Sequence, residues 1–194
     1  MSTFPATAVP VPMVQEIKGV VVKYGNNPHG DIDKLLIAAG SGEIWVHFPP
    51  HKARWVLQAA HPQATVSVEY TAGIHGKDGN NYELRKIRDA HNQEFDLSNI
   101  APPLPSRGND VSVSGSKFYI RKDEGGRTTG LVIGGMLVVL PPHVADNLTP
   151  IILTARKITV KGQQRSDQDG FVNVDGQVLR PSSITIDSLT YLIQ

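Results

Sequence analysis

His47-Phe48-Pro49-Pro50-His51 is matched ninety-two residues later by Val139-Leu140-Pro141-Pro142-His143. The match is wider than these five residues. Gly42 to Thr71 aligns without a gap to Gly134 to Gln163. Ile44, Val46 and Phe48 fall on Met136, Val138 and Leu140, while Val66 and Val68 fall on Ile158 and Val160. Alternating apolar positions of this kind mark half-buried strands. The paired prolines end each first strand, because proline cannot donate a ladder hydrogen bond but suits the first turn of a helix. A repeat of this length implies duplication of a domain, since a solenoid would have a shorter period.

Outward from this segment, the first copy reads as strand, strand, strand, helix, strand, strand. Glu16 to Tyr24 alternates, with Ile17, Val20 and Val22 expected inward. Lys34 to Ala38 and Glu43 to Phe48 form a hairpin about Gly40-Ser41-Gly42. Pro50 to Ala60 is expected to be helical, with Ala53, Val56, Leu57 and Ala60 on one stripe. Thr65 to Tyr70 and Tyr82 to Arg88 complete the unit. One helix between the third and fourth strands is the order of an OB-fold, the five-stranded Greek-key barrel. An SH3-like barrel would lack that helix and fits less well.

The second copy keeps the order: Asp110 to Arg121, Thr128 to Ile133, Met136 to Leu140, a helical region from Pro142 to Leu153 interrupted at Pro150, Lys157 to Gly162, and a last strand around Ser183 to Ile186. A long hairpin with turns at Asp169-Gly170 and Asp175-Gly176 precedes that strand. The expectation is a mostly β chain of two tandem OB-fold-like five-stranded barrels. Residues 1–15 form a flexible arm, 16–90 the first unit, 91–109 a linker and 110–194 the second unit. Ala101-Pro102-Pro103-Leu104-Pro105-Ser106 makes that linker stiff.

Composition narrows the function. The chain has no cysteine, which removes disulfides, thiolate metal sites and cysteine nucleophiles. Met1 to Gln15 carries no lysine or arginine and no continuous apolar stretch, so a secretory signal is not expected. No apolar run reaches membrane-spanning length. A cytoplasmic protein with no membrane partner is the expectation. Net charge is +1; residues 16–90 hold nine lysines and arginines against eight acids. A strong non-specific nucleic-acid binder has a clearer basic excess.

Asn27-Pro28-His29-Gly30-Asp31, Leu35-Leu36-Ile37 and Phe48-Pro49-Pro50-His51 carry a resemblance. Together they resemble a largely uncharacterised family of small bacterial OB-fold proteins with an N-P-x-G pattern, a leucine-rich strand, a short Gly turn and F-P-P-H. The resemblance covers about residues 16–90. It reaches the second unit through Leu140-Pro141-Pro142-His143, and Arg121 to Arg127 does not preserve the Asn-Pro-His-Gly loop. It implies an OB-fold and, by fold analogy, nucleic-acid binding.

OB-folds bind oligonucleotides with the face of strands two and three and the loops beside it, aromatics stacking on bases and lysine or arginine following phosphates. In the first unit Tyr24, His29 and Lys34 border the first loop, Trp45 and His47 share the outer face of strand three, Lys77 lies between strands four and five, and Arg85 faces away from Leu84. In the second unit Phe118, Tyr119, Arg121, Lys122 and Arg127 border the equivalent loop. These are the candidate nucleic-acid-binding residues. Leu137 and Val139 replace Trp45 and His47, which points to a buried contact there. Two readings therefore stand: weak binding of single-stranded DNA or RNA centred on the first unit, and a protein-interaction or self-assembly module using the outer barrel faces.

His29, His47 and His51 raise the question of a metal. The second copy keeps only His143, the counterpart of His51, so no metal and no cofactor are expected. His51 and His143 instead read as structural groups bracing the strand-to-helix corner, where backbone N–H groups lack partners. No enzyme signature appears. Asp31 and Asp33, beside Gly30, are explained by turn formation. The chain is expected not to be an enzyme.

Overall fold

A computed structural model describes residues 13–40, 42–72, 82–104, 108–166 and 169–193. The chain is mostly β, in two sheets. The first contains β1 (Val14–Asn26), β2 (Ile32–Ala39), β3 (Gly42–His47), β4 (Thr65–Ala72), β5 (Tyr82–Arg88) and β6 (Glu94–Asp96). Its order is β3-β2-β1-β4-β5-β6, and a parallel pairing of β3 with β5 closes β1 to β5 into a barrel. Closure removes the free strand edges that would otherwise invite aggregation.

β1 makes closure possible by serving two partners. Its first half pairs with β4, its second half with β2, and Val20 pairs with both Thr65 and Ala38. A bulge between Val21 and Lys23 shifts the phase of the strand. The sequence expectation for Val20 and Val22 is corrected here: Val21 is the fully buried residue, and Val20 is 36% exposed. Before the bulge Ile17 and Val21 face the core; after it Tyr24 does.

Between β3 and β4 the chain forms a short 3-10 turn over Pro50–Lys52 and then α1 (Ala53–Ala59). Ala53, Val56 and Ala60 are fully buried under the barrel with Leu35, Val46, Val68 and Ile87. The unit does not stop at residue 90. β6 extends the sheet beside β5, and Leu97, next to it, is almost fully buried in the same core.

The second sheet contains β7 (Asn109–Gly115), β8 (Phe118–Lys122), β9 (Thr128–Ile133), β10 (Met136–Val139), β11 (Ile158–Gln164), β12 (Gln177–Ile186) and β13 (Leu189–Leu192). Its order is β7-β11-β12-β10-β9-β8, with β13 added to β12. β10 and β12 are parallel, as β3 and β5 are. This sheet is not closed. The single strand expected over Asp110 to Arg121 is broken at Ser116-Lys117 into β7 and β8, which lie at opposite ends of the path. Gly115 pairs with Ile158 and Phe118 with Ile133, so no residue bridges both neighbours as Val20 does.

α2 (Pro142–Ile152) runs through Pro150 without interruption. Pro150 lies in the last turn, where little helix remains to be disrupted. Val144, Ala145, Leu148 and Ile152 seat this helix on Leu131, Val138, Val160 and Leu179. No helix among the described residues is long and apolar enough to cross a membrane.

Candidate nucleic-acid interface

Lys23, Leu36 and Trp45 stand in register across β1, β2 and β3, and Gly25, Lys34 and His47 form the next row. Val46 and Phe48, of opposite parity to Trp45, are in the core. Trp45 itself is half-buried and lies outside the core cluster. The Lys34 Nζ is 5.5 Å and the Lys23 Nζ 5.8 Å from its ring centroid. Cations at that range are attracted by the indole quadrupole. Gly25 leaves the Lys34 stem room to lie flat, since a Cβ there would stand 2.8 Å from Lys34 Cγ.

A cleft of about 330 Å³ continues from this face toward the second unit. Asn26, Asn27, Pro28, Asp33 and Lys34 of the first unit line it together with Arg121 to Gly125 of the second. The Asp33 Oδ1 is buried without a hydrogen-bond partner. Burial pushes the Asp33 carboxyl above its ordinary range, with Lys34 and His47 opposing. Burial also lowers the His47 imidazole, and the Asp33 carboxylate opposes that.

The remaining sequence candidates are in other employment. The Tyr24 hydroxyl donates to the Ala60 carbonyl at 2.9 Å. His29 is exposed, and its carbonyl accepts a bond from Asn173 Nδ2. Arg85, half-exposed on β5, pairs with Glu83 at 3.2 Å and does not join Trp45. Phe118 packs on the second core. Tyr119 is 57% exposed, with its hydroxyl 3.4 Å from Asp175 Oδ1. Arg121 pairs with Asp175 and donates to the Pro28 carbonyl. Arg127 is exposed and pairs with Asp123. Lys122 is exposed on the cleft wall. Lys77 lies outside the described residues.

The Asn-Pro-His-Gly-Asp loop has a role the sequence did not disclose: it docks the second unit. The Arg165 Nη1 and Nη2 donate to the Asp31 carboxylate at 3.0 and 2.7 Å. Asn173 Nδ2 donates to Asp31 Oδ1 at 2.9 Å. Ile32 N donates to the Val172 carbonyl and Val174 N to the Gly30 carbonyl, so the segments pair like short antiparallel strands. Gly30 has φ +82°, and a Cβ there would stand 3.0 Å from Arg121 Nη2, Asn173 Oδ1 and Asp175 Oδ2. Asp31, assigned only to turn formation from sequence, is thus an ion-pair partner. Arg165, Phe171 and Asn173 escaped notice, and Asp175 was read only as a turn residue, because each looks like an ordinary loop residue. The length of their hairpin was the available signal.

His51 is buried at this junction. Its ring bonds the Ile100 backbone and meets Phe171 edge-on at 6.3 Å, while its Nε2 has no partner. His143 is exposed. On the second unit, Val132, Leu137 and Val178 form a separate buried cluster with Val139 packed against it. Among the described residues, no three His, Cys, Asp or Glu side chains converge as a metal site. A scan against protein-family models and a search of curated proteins found no match to this chain.

Proposed function

We propose that the chain is a pair of OB-folds and a non-enzymatic protein that binds single-stranded nucleic acid across the β1-β2-β3 face of the first. The barrel order, with its helix between the third and fourth strands, supports the OB-fold reading. The second unit supports it through the same pairings and a helix in the equivalent place. The observation that carries the function is Trp45: an indole outside the core, flanked by two lysine ammoniums. A base stacked on Trp45 would place its phosphates beside Lys23 and Lys34, the combination single-strand binders use. The near-zero net charge keeps this binding weak, and affinity should fall as salt rises, modestly, because only Lys23 and Lys34 meet phosphates.

The protein-interaction reading leaned on the outer face of the second unit. Leu137, its central residue, is fully buried within the chain, which leaves that face a smaller role. The test is a titration of labelled single-stranded DNA and RNA at low salt. Trp45→Ala should weaken binding by about 1–3 kcal/mol, the scale of one stacked base. Folded protein that binds neither strand overturns the reading and returns the chain to the interaction class.

A further inference from the structure

β6 and β13 occupy the same place in the two units. β3 pairs with the start of β5 and β6 with its end, as β10 and β13 do on β12. Phe95 and Tyr191, on the two added strands, both pack on their cores. The residues that point outward differ. In the first unit Glu16, Glu69, Lys86 and Asp96 stand in one row, and Lys18, Ser67, Arg88 and Glu94 in the next. The same rows of the second unit read Ser112, Lys161, Ser183 and Leu192, then Ser114, Thr159, Thr185 and Thr190. Of these only Lys161 is charged.

An open edge strand is a template for another strand, and charge is a common guard against it. β6 carries Glu94 and Asp96, β7 Asp110, and β8 Arg121 and Lys122. β13, Leu189-Thr190-Tyr191-Leu192, has no charge, and Leu189 and Leu192 are 63% and 76% exposed. The turn at Asp187-Ser188 pairs Leu189 with Ile186, and Ile193 N donates to the Ser182 carbonyl at 3.0 Å. Hydrogen-bonded pairs alternate along an antiparallel ladder, so Leu189 and Tyr191 direct their N–H and C=O groups at β12. Those of Thr190 and Leu192 point the other way, and among the described residues no strand pairs with them there.

We propose that β13 joins two copies of this chain, pairing antiparallel with β13 of the second copy about a two-fold axis at Tyr191. That register sets Thr190 opposite Leu192 of the second copy, and Leu192 opposite its Thr190. Each free N–H then faces a free C=O, and exposed Leu192 leaves water. Charge identifies the occupant. A two-fold contact sets a strand against itself, so any charge it bears meets its like. In β6 the same arrangement would set Glu94 against Asp96, which is destabilising. β13 bears no charge, and neither do Ser183 and Thr185 beside it on β12. A strand this short buries less than a standard interface, so the dimer is weak and forms only as concentration rises.

The test is the oligomeric state of the full chain, by sedimentation velocity from about 1 μM to about 1 mM. The wild type should pass from monomer to dimer over that range. Thr190→Glu combined with Leu192→Asp, which copies the charges of β6 onto β13, should raise the dissociation constant roughly tenfold or more through like charges set opposite each other. The chain has no cysteine, so Thr190→Cys and Leu192→Cys give a second readout that adds no acidic charge. Mixed and oxidised, these two single variants should cross-link to each other faster than either does to itself. A wild type that stays monomeric, a dimer that the double charge variant leaves intact, or no preference for the mixed cross-link overturns the proposal.

Discussion

Asp31 and Arg165, 134 residues apart, form a two-pronged ion pair that fastens the first unit to the second. Their side chains are 9% and 14% exposed, and the Arg165 guanidinium lies 4.4 Å from the Phe171 ring centroid. Removing one member of such a pair leaves a charge in a poorly solvated place. Asp31→Ala or Arg165→Ala should each lower stability by about 3–5 kcal/mol, and the double variant should cost less than the two added together. Urea unfolding of the three variants measures this. Simple additivity would mean that the pair contributes nothing as a pair.

Gly170 offers a second test of the junction. Its carbonyl accepts from Arg54 N at 3.0 Å, its φ is +76°, and a Cβ there would collide with the His51 carbonyl and the Trp55 ring. Gly126 has φ +80° but open space around it. Gly126→Ala should cost about 1–2 kcal/mol, the backbone penalty alone. Gly170→Ala should cost clearly more and should increase proteolytic cleavage near the junction. Equal melting temperatures for the two variants would show that this contact is dispensable.

The two Pro-Pro-His corners should respond differently to mutation. His51→Ala should destabilise by about 1–2 kcal/mol through loss of a buried hydrogen bond. His143→Ala, at an exposed site, should stay within about 0.5 kcal/mol of wild type. Thermal unfolding separates the cases, and equal losses would restore the equivalence of the two histidines that the sequence suggests.

Acid should weaken the fold by way of the same residue. Burial, aided by Lys52, holds the His51 imidazole below its ordinary 6.5, and the Ile100 carbonyl only partly opposes this. The native state then binds fewer protons than the unfolded chain. His51 stabilisation is complete above that ordinary value and is lost as pH falls through the depressed one. His47 acts in the same direction. Asp33, raised from 3.8, acts in the opposite sense, and its penalty is relieved as acid protonates it. The melting temperature should therefore fall between about pH 7 and pH 5, and fall less in His51→Gln. A rise over that interval would contradict the assignment.

Much of the barrel was legible because burial imposes a period of two. Ile44, Val46 and Phe48 announced their inward face by alternation, and all three lie at the first core. Pro49-Pro50 and Pro141-Pro142 announced the strand-to-helix corners for a local reason, the missing N–H. The phase of β1 was not legible, because a bulge at Val22 shifts it without leaving a mark in the residue types. β6 and Leu97 were hidden in an apparent linker, since three residues are too few to establish a period.

The candidate site divides in the same way. Trp45 and Lys34 could be placed on one face from sequence because neighbouring antiparallel strands joined by a short hairpin alternate in step, which sets Lys34 against His47, two residues beyond Trp45. Lys23 could not, as its position depends on the bulge. By itself the sequence determined the alternation, the corners and the outward face bearing Trp45, all consequences of local geometry. Only the tertiary structure decided that Asp31 meets Arg165, that His51 is buried while His143 is not, and that one Asp33 carboxylate oxygen is left without a donor. The first two depend on how Gly30, Asp31 and His51 meet Arg165 and residues 171–174 across the junction. Contacts so distant in sequence are set by the free energy of the whole packed arrangement, and no local period encodes them.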